Sequence, residues 1–238
     1  MDSLLKQPTN QLVKNSPTII FCLPGRSFSN NFLLSWSELL IHLYKLGFNV
    51  KISQKYTSNV YYVRNMCLGG DVMRGVSQKP FNGMNYDYIM WIDSDIVFDV
   101  NQFLTLLRHN KPIVSGLYLM DGGTKYATVK DWDIEFFKKN SSFQFLTPKF
   151  VEKWKQQHPN KLMEVEYTGF GFLLCKKGVF EKINYPWFEP VYENKIAENV
   201  VDFCSEDVSF CKKILKKGLK IYIDPNIIVG HEKIITYR

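Results

Sequence analysis

The chain has 238 residues, 45% of them hydrophobic and 15% aromatic, with a formal net charge of +7 and a pI near 9.0. That length makes one large domain or two small ones, and the apolar content excludes a mostly disordered chain. The positive surplus favours anionic ligands, yet the lysines are scattered or paired, as at Lys138-Lys139 and Lys216-Lys217, and no arginine-rich segment marks a nucleic-acid surface. Cys22, Cys67, Cys175, Cys204 and Cys211 are odd in number and form no CxxC, which argues against a disulfide framework or a cysteine zinc site and points to a reducing compartment. No stretch approaches the roughly 18 apolar residues of a membrane span. The opening MDSLLKQPTNQLVKNSP lacks the apolar centre of a signal peptide, so a cytoplasmic protein is expected.

In chain order, TIIFCL (Thr18 to Leu23) reads as a buried strand that breaks at Pro24-Gly25 into the loop PGRSFS. A helix is expected from about Asn30, because Leu33, Trp36, Leu40, Leu43 and Tyr44 recur at helical spacing up to Gly47. FNVKIS is a second strand, a helix around Val60 to Leu68 carries Arg64 and stops at Gly69-Gly70, and YDYIMWI is a third strand ending on Asp93 and Asp95. Asn101 to His109 reads as a helix and PIVSGLYL as a fourth strand. Further on, KYATVKDWDIEFFKKNSSFQFL alternates weakly and suggests strands plus loop, Pro148 to Gln157 a helix, and KLMEVEYTGFGFLLCKK two strands broken at Gly169-Phe170-Gly171. YPWFEPVYENKIAENV reads as a long loop, Ser205 to Lys217 as a helix stopped by Gly218, LKIYIDP as a strand, and IIVGHEK closes the chain. No repeat or linker divides it, so residues 1–16 are taken as a polar lead-in and 17–238 as one α/β domain.

Alternating strands and helices make a mostly parallel sheet covered by helices on both faces, and ligands sit at the carboxyl ends of its strands. The PGRSFS loop and Asp93/Asp95 fall at that edge. Two carboxylates separated only by Ser94 repel each other, and a divalent cation relieves the repulsion. Hard oxygen ligands suit Mn²⁺ or Mg²⁺, which complete their shell with water and substrate phosphates. The pair also fits a cap on the following turn. As DSDIV it further resembles the DxDx[TV] of haloacid-dehalogenase-like phosphatases, with Asp93 as nucleophile and Asp95 as acid/base. Those enzymes carry the motif on their first strand, whereas two strand–helix units precede it here.

YTGFGFLLCKKGVFEKI, YPWF and SEDVSFCKKILKKGLKIYIDPNIIVGHEK together resemble small GT-A glycosyltransferases, especially those like family 2, over roughly residues 17 to 233. The resemblance implies a single Rossmann-like GT-A domain, with a nucleotide-binding half over 17–120 and an acceptor and catalytic half over 121–238. It implies transfer of a sugar from a nucleotide sugar, expected to be UDP-linked, to a glycan or other hydroxyl acceptor with Mn²⁺ or Mg²⁺. By position, Asp95 becomes the direct metal ligand, Asp93 reaches the ribose or the metal through water, and His231 completes the metal site. Asp207, beside Glu206 in the SED motif, becomes the base of an inverting displacement. Pro24, Gly25, Arg26, Ser27, Arg64 and Ser94 are placed on the nucleotide, and Gly169, Phe170, Gly171 and Trp187 on the acceptor or sugar.

The residue chemistry agrees. Charge left on a nucleoside diphosphate calls for a Lewis acid, and an attacking hydroxyl needs a carboxylate within reach, whose anion a helix N-terminus favours. Plainer readings stand beside these. Glu206 and Asp207 could only complement the helix start after Ser205, His231 and Arg64 could be surface groups, the glycines could mark a tight bend, and Trp187 could be packing. A phosphohydrolase, or a non-catalytic nucleotide or nucleic-acid binding module, is the alternative.

Overall fold

β1 (Thr18–Pro24) is buried on both sides, with Ile19, Phe21 and Leu23 facing one layer and Ile20 and Cys22 the other. The computed structural model describes residues 16–120, 122–197 and 200–233. After β1 come α1 (Asn30–Lys45), β2 (Asn49–Lys55), α2 (Val60–Cys67), β3 (Tyr88–Ile92), β4 (Ile96–Val97), α3 (Val100–His109) and β5 (Ile113–Leu117). The second half adds β6 (Thr128–Val129), α4 (Ile134–Asn140), α5 (Pro148–Gln157), β7 (Met163–Val165), β8 (Tyr167–Thr168) and β9 (Phe172–Lys176). β10 (Val191–Ala197), β11 (Val200–Cys204), α6 (Glu206–Lys216), β12 (Ile221–Ile228) and β13 (Gly230–His231) follow.

The central sheet runs β2-β1-β3-β9-β5-β12-β7. Five of its seven strands point the same way; β9, wedged between β3 and β5, and the edge strand β7 run against them. This is the expected α/β class, a mixed and mostly parallel sheet with helices on both faces. One layer packs Phe32, Leu39 and Leu43 of α1 and Phe103 and Leu106 of α3 against Phe21, Met90, Ile92 and Leu174. The opposite layer packs Val63 and Cys67 of α2, Val151 of α5 and Phe210 and Ile214 of α6 against Ile20, Trp91, Leu173 and Ile223. Strands from both halves of the chain interleave in this one sheet.

Helix starts follow local chemistry. Ser29 and Thr147 accept backbone N–H bonds at the starts of α1 and α5, and Asp99 and Gln102 cap α3 reciprocally. The same effect corrects one expectation: Ile134–Asn140 is a helix rather than strand or loop, because Asp133 accepts from Phe136 N at 2.9 Å and nucleates the turn. The supposed long loop after Pro190 is a β10–β11 hairpin, with Val191 paired to Cys204 and Glu193 to Asp202. No two of the five cysteines form a disulfide, and among the described residues no helix is long and apolar enough to cross a membrane.

Trp187 and Phe170, both expected on the acceptor, are 0% exposed. Phe170 packs edge-on against Trp91, Phe188 and Phe210 at ring distances of 5.4, 5.1 and 4.9 Å. Asn65 of α2 fixes the loop carrying Trp187. Its amide oxygen accepts from the Trp187 and Phe188 N–H groups at 3.0 and 3.3 Å, and its NH₂ donates to the Tyr61 and Phe188 carbonyls. Burial therefore makes both rings core residues, not a platform for sugar. Trp187→Ala is expected to lower the unfolding free energy by about 3–5 kcal/mol in a denaturant melt, the cost of emptying a large buried site. An unchanged melt would show that the ring is not part of the core.

Candidate functional site at the carboxyl edge of the sheet

Because β9 runs against β3 and β5, its beginning lies beside their ends. Ile92 pairs with Phe172, and Asp93 N donates to the Gly171 carbonyl at 3.1 Å. The Gly169–Gly171 turn, the Asp93–Asp95 pair and Tyr118, just past β5, are thereby gathered at one edge. Tyr118 explains the glycines: a Cβ on Gly169 would lie 1.9 Å from its hydroxyl, and one on Gly171 2.7 Å from its ring. The turn is glycine-rich so that a tyrosine can lie across it. Burial pushes the Tyr118 phenol well up, with the charges of Asp93 and Asp207 adding to the effect.

Asp93 is held by Arg64 through two parallel bonds, Nη1 to Oδ1 at 2.7 Å and Nη2 to Oδ2 at 3.0 Å. The same guanidinium sends Nε to Glu206 Oε1 at 3.3 Å and lies over the rings of Trp91 and Phe170, 5.5 and 5.2 Å from their centroids. Arg64 is 4% exposed, so it is neither the surface charge of the plainer reading nor an open fork for a diphosphate. Desolvation opposes its charge, but Asp93 and then Glu206 overcome that and raise its pKa. Glu206, also buried, has its carboxyl raised, first by desolvation and then by neighbouring Asp207, against the opposing pull of Arg64. Glu206 is therefore placed to position Arg64 and the start of α6, not to meet a substrate.

Asp95 meets the far end of the chain. β13 pairs antiparallel with β4, His231 opposite Ile96, and this sets His231 Nε2 3.1 Å from Asp95 Oδ2 across 136 positions of sequence. Lys233 Nζ reaches the same oxygen at 3.0 Å, and Glu232 N donates to the Asp95 carbonyl at 2.8 Å. His231 Nδ1 donates to the Leu119 carbonyl oxygen at 2.5 Å, an atom that can only accept. With Nδ1 committed as a donor, Nε2 is the atom that faces Asp95: on a protonated ring it donates to that carboxylate, and on a neutral ring its lone pair is open to a cation shared with it. The 3.1 Å spacing of these two atoms fits adjacent ligand positions on a hard cation, since bonds of about 2.1 Å at right angles put ligands about 3 Å apart. Among the described residues no three His, Cys, Asp or Glu side chains gather as a cage, so a metal here would take its remaining ligands from substrate and water.

Asp207 accepts from three donors: Tyr167 Oη on Oδ2 at 2.8 Å, Val208 N on Oδ1 at 2.8 Å, and the Ser205 hydroxyl, also on Oδ1. Ser205 sits at the helix N-cap position, but its hydroxyl serves Asp207 and not the helix backbone. A carboxylate offers about four lone-pair sites, so one is left for an incoming hydroxyl. Of the Pro24–Ser27 loop, Pro24 is buried at the end of β1, while Arg26 and Ser27 are exposed, with Arg26 over the Tyr56 ring. Gly25 lies so near Ser94 that a Cβ would come within 2.5 Å of it, which seats the loop directly against the acidic pair.

Tyr118, Tyr167 and Lys233 were missed from sequence. Tyr118 directly follows a buried strand at the ligand edge, and Lys233 lies two residues past His231, so both carried a legible signal. Tyr167 carried none, because its partner Asp207 is 40 residues away.

No protein-family model matches the sequence, and comparison with curated proteins gave no match. Among solved structures the chain is similar to GalNAc-T7 crystallised with UDP, GalNAc and Mn²⁺, at 13% identity and a TM-score of 0.49 over 90% of this chain and 43% of that one. It is also similar to the catalytic domain of Drosophila β1,4-galactosyltransferase 7 in complex with xylobiose, at 14% identity and a TM-score of 0.46 over 89% of this chain and 66% of that one. A mycobacterial protein matches at 11% identity and a TM-score of 0.41, over 92% and 68%. The chain thus spans less than half of the first and just under two thirds of the second. The chemistry rests on its own residues.

Arg64→Ala leaves Asp93 and Glu206 without their buried partner and is expected to cost about 3–5 kcal/mol in a denaturant melt. A loss under about 1 kcal/mol would show that the bridge is not structural. The raised Glu206 carboxyl binds a proton more tightly folded than unfolded, so its stabilisation is full in acid and lost as pH rises through its folded pKa. Relative to Glu206→Gln, the wild type is therefore expected to lose stability from the ordinary carboxylate range upward. Parallel stability–pH curves for the two proteins would contradict that sign.

Proposed function

We propose that the protein is a metal-dependent glycosyltransferase that moves a sugar from a nucleotide sugar, UDP-linked, to a hydroxyl acceptor with inversion. One observation carries this reading: Asp95 and His231, 136 positions apart, converge to 3.1 Å at the sheet edge, facing each other as metal ligands would. Arg64 and Glu206 tie that edge to the start of α6, where Asp207 sits. Asp95 and His231 would hold Mn²⁺ or Mg²⁺, which when bound supplies Lewis-acid stabilisation of the diphosphate leaving group. The Pro24–Ser27 loop and Ser94 lie where the nucleotide would dock, with Arg26 exposed for phosphate contact. Asp207, its carboxylate held by Tyr167, Ser205 and Val208, would take the proton of the acceptor hydroxyl as it attacks.

The phosphohydrolase reading needs Asp93 as nucleophile. Both of its oxygens are bonded to the Arg64 guanidinium, which lowers their reactivity and fixes them in place. The geometry favours Asp93 as a positioned acceptor, suited to a ribose hydroxyl.

Asp95→Ala is expected to abolish the Mn²⁺ dependence of UDP binding in calorimetry while the thermal melt without ligand stays in place. Unaltered metal-dependent binding would remove Asp95 from the metal site. Asp207→Asn should lower turnover of a UDP-sugar by about 10²–10⁴-fold, the usual contribution of a positioned base, with UDP affinity kept. A collapse of donor affinity in its place would make Asp207 a donor contact.

A further inference from the structure

We propose that the aromatic-walled cavity beside Asp207 is an acceptor subsite for a neutral saccharide, a step that rests on the transferase reading and names where its second substrate binds. The cavity, about 440 Å³, lies between α4, the end of β11 and the beginning of α6. Its volume falls in the range of small-molecule sites. Its link to the chemistry is direct, because Tyr167 and Ser205 both line it and both donate to the Asp207 carboxylate. A ligand filling it therefore sits against the groups that hold the proposed base.

The walls specify the ligand class. Trp132, Phe137, Phe143 and Tyr167 form a continuous aromatic surface, with ring distances of 4.4 Å for Trp132–Phe143, 4.7 Å for Phe137–Phe143 and 5.7 Å for Trp132–Tyr167. Phe203 of β11 also lines it and is 58% exposed. Asp202 and Lys212 bring one charge of each sign, so the lining has no net charge to attract an ion. A sugar ring offers apolar C–H faces for such walls and hydroxyls for the few polar groups between them. The alternative platform of Phe170 and Trp187 is buried, whereas this cavity keeps Phe203 open beside the groups that hold Asp207.

The test uses the full chain labelled with ¹⁵N at its tryptophan indoles, saturated with UDP and Mg²⁺ and titrated with the methyl β-glycosides of glucose, galactose and N-acetylglucosamine. The Trp132 cross-peak, assigned through Trp132→Phe, is expected to shift saturably with at least one glycoside. Binding should weaken roughly tenfold in Phe203→Ala, a loss of about 1.4 kcal/mol, with UDP affinity unchanged. Phe203 is exposed, so this variant keeps its fold. UDP binding with no glycoside shifting Trp132, or glycoside affinity unaltered in Phe203→Ala, overturns the subsite alone. Failure of UDP to bind in the presence of metal overturns the transferase reading beneath it.

Discussion

The buried guanidinium of Arg64 is the interaction on which the site depends. It holds Asp93, just past the end of β3, and Glu206, in the first turn of α6, two residues 113 positions apart in sequence. An arginine at 4% exposure without partners would be strongly unfavourable, and so would the buried Glu206 carboxylate beside a half-buried Asp93 without a cation. Each is tolerable only with the others present. The guanidinium also lies against the rings of both Trp91 and Phe170, so its orientation is fixed by packing as well as by charge. Positioning α6 in this way positions Asp207, the next residue along.

The second constraint is topological. A purely parallel sheet would leave each strand end at the ligand edge followed only by its own loop. Inserting β9 antiparallel between β3 and β5 brings the start of one strand level with the ends of two others. Three separate segments then share a small volume: the acidic pair, the glycine turn and Tyr118. That crowding is why the turn excludes side chains at positions 169 and 171. Tyr118 in turn packs edge-on against His231 at 5.2 Å, so the glycine turn and the carboxy-terminal strand contact the same ring.

The sequence was legible where a residue's role depends on near neighbours. β1, α1, β2, α2, β3, α3 and β5, the α5 span, and the burial of β3 follow from hydrophobic period and punctuation, and the carboxyl-edge position of Asp93 and Asp95 follows from them. Pairing across long separations was not legible. Arg64 reads from sequence as a nucleotide contact or a helix-surface charge, because nothing near it in sequence is acidic; its partners are 29 and 142 positions away. The resemblance places Trp187 and Phe170 on the acceptor, with packing the alternative for Trp187, and both rings are core. The α4 helix was hidden by weak alternation that an Asp133 cap outweighs, and the β10–β11 hairpin by the prolines before it.

Two carboxylates at an i, i+2 spacing pose an electrostatic problem, and the chain solves it differently for each. Asp93 has a permanent counter-cation in Arg64, buried and bound through both oxygens. Asp95 is more exposed, 39% against 27%, and meets its positive charge from Lys233 on the surface, with the His231 nitrogen beside it. A buried fork bonded twice does not exchange readily, whereas a solvent-accessible ammonium gives way at little cost to a stronger cation. The asymmetry distinguishes the two residues before any ligand is considered. Asp93 is held in one orientation, as a contact to a ribose hydroxyl would need, and Asp95 is the more exposed carboxylate, as the proposed metal site at the nucleotide edge requires.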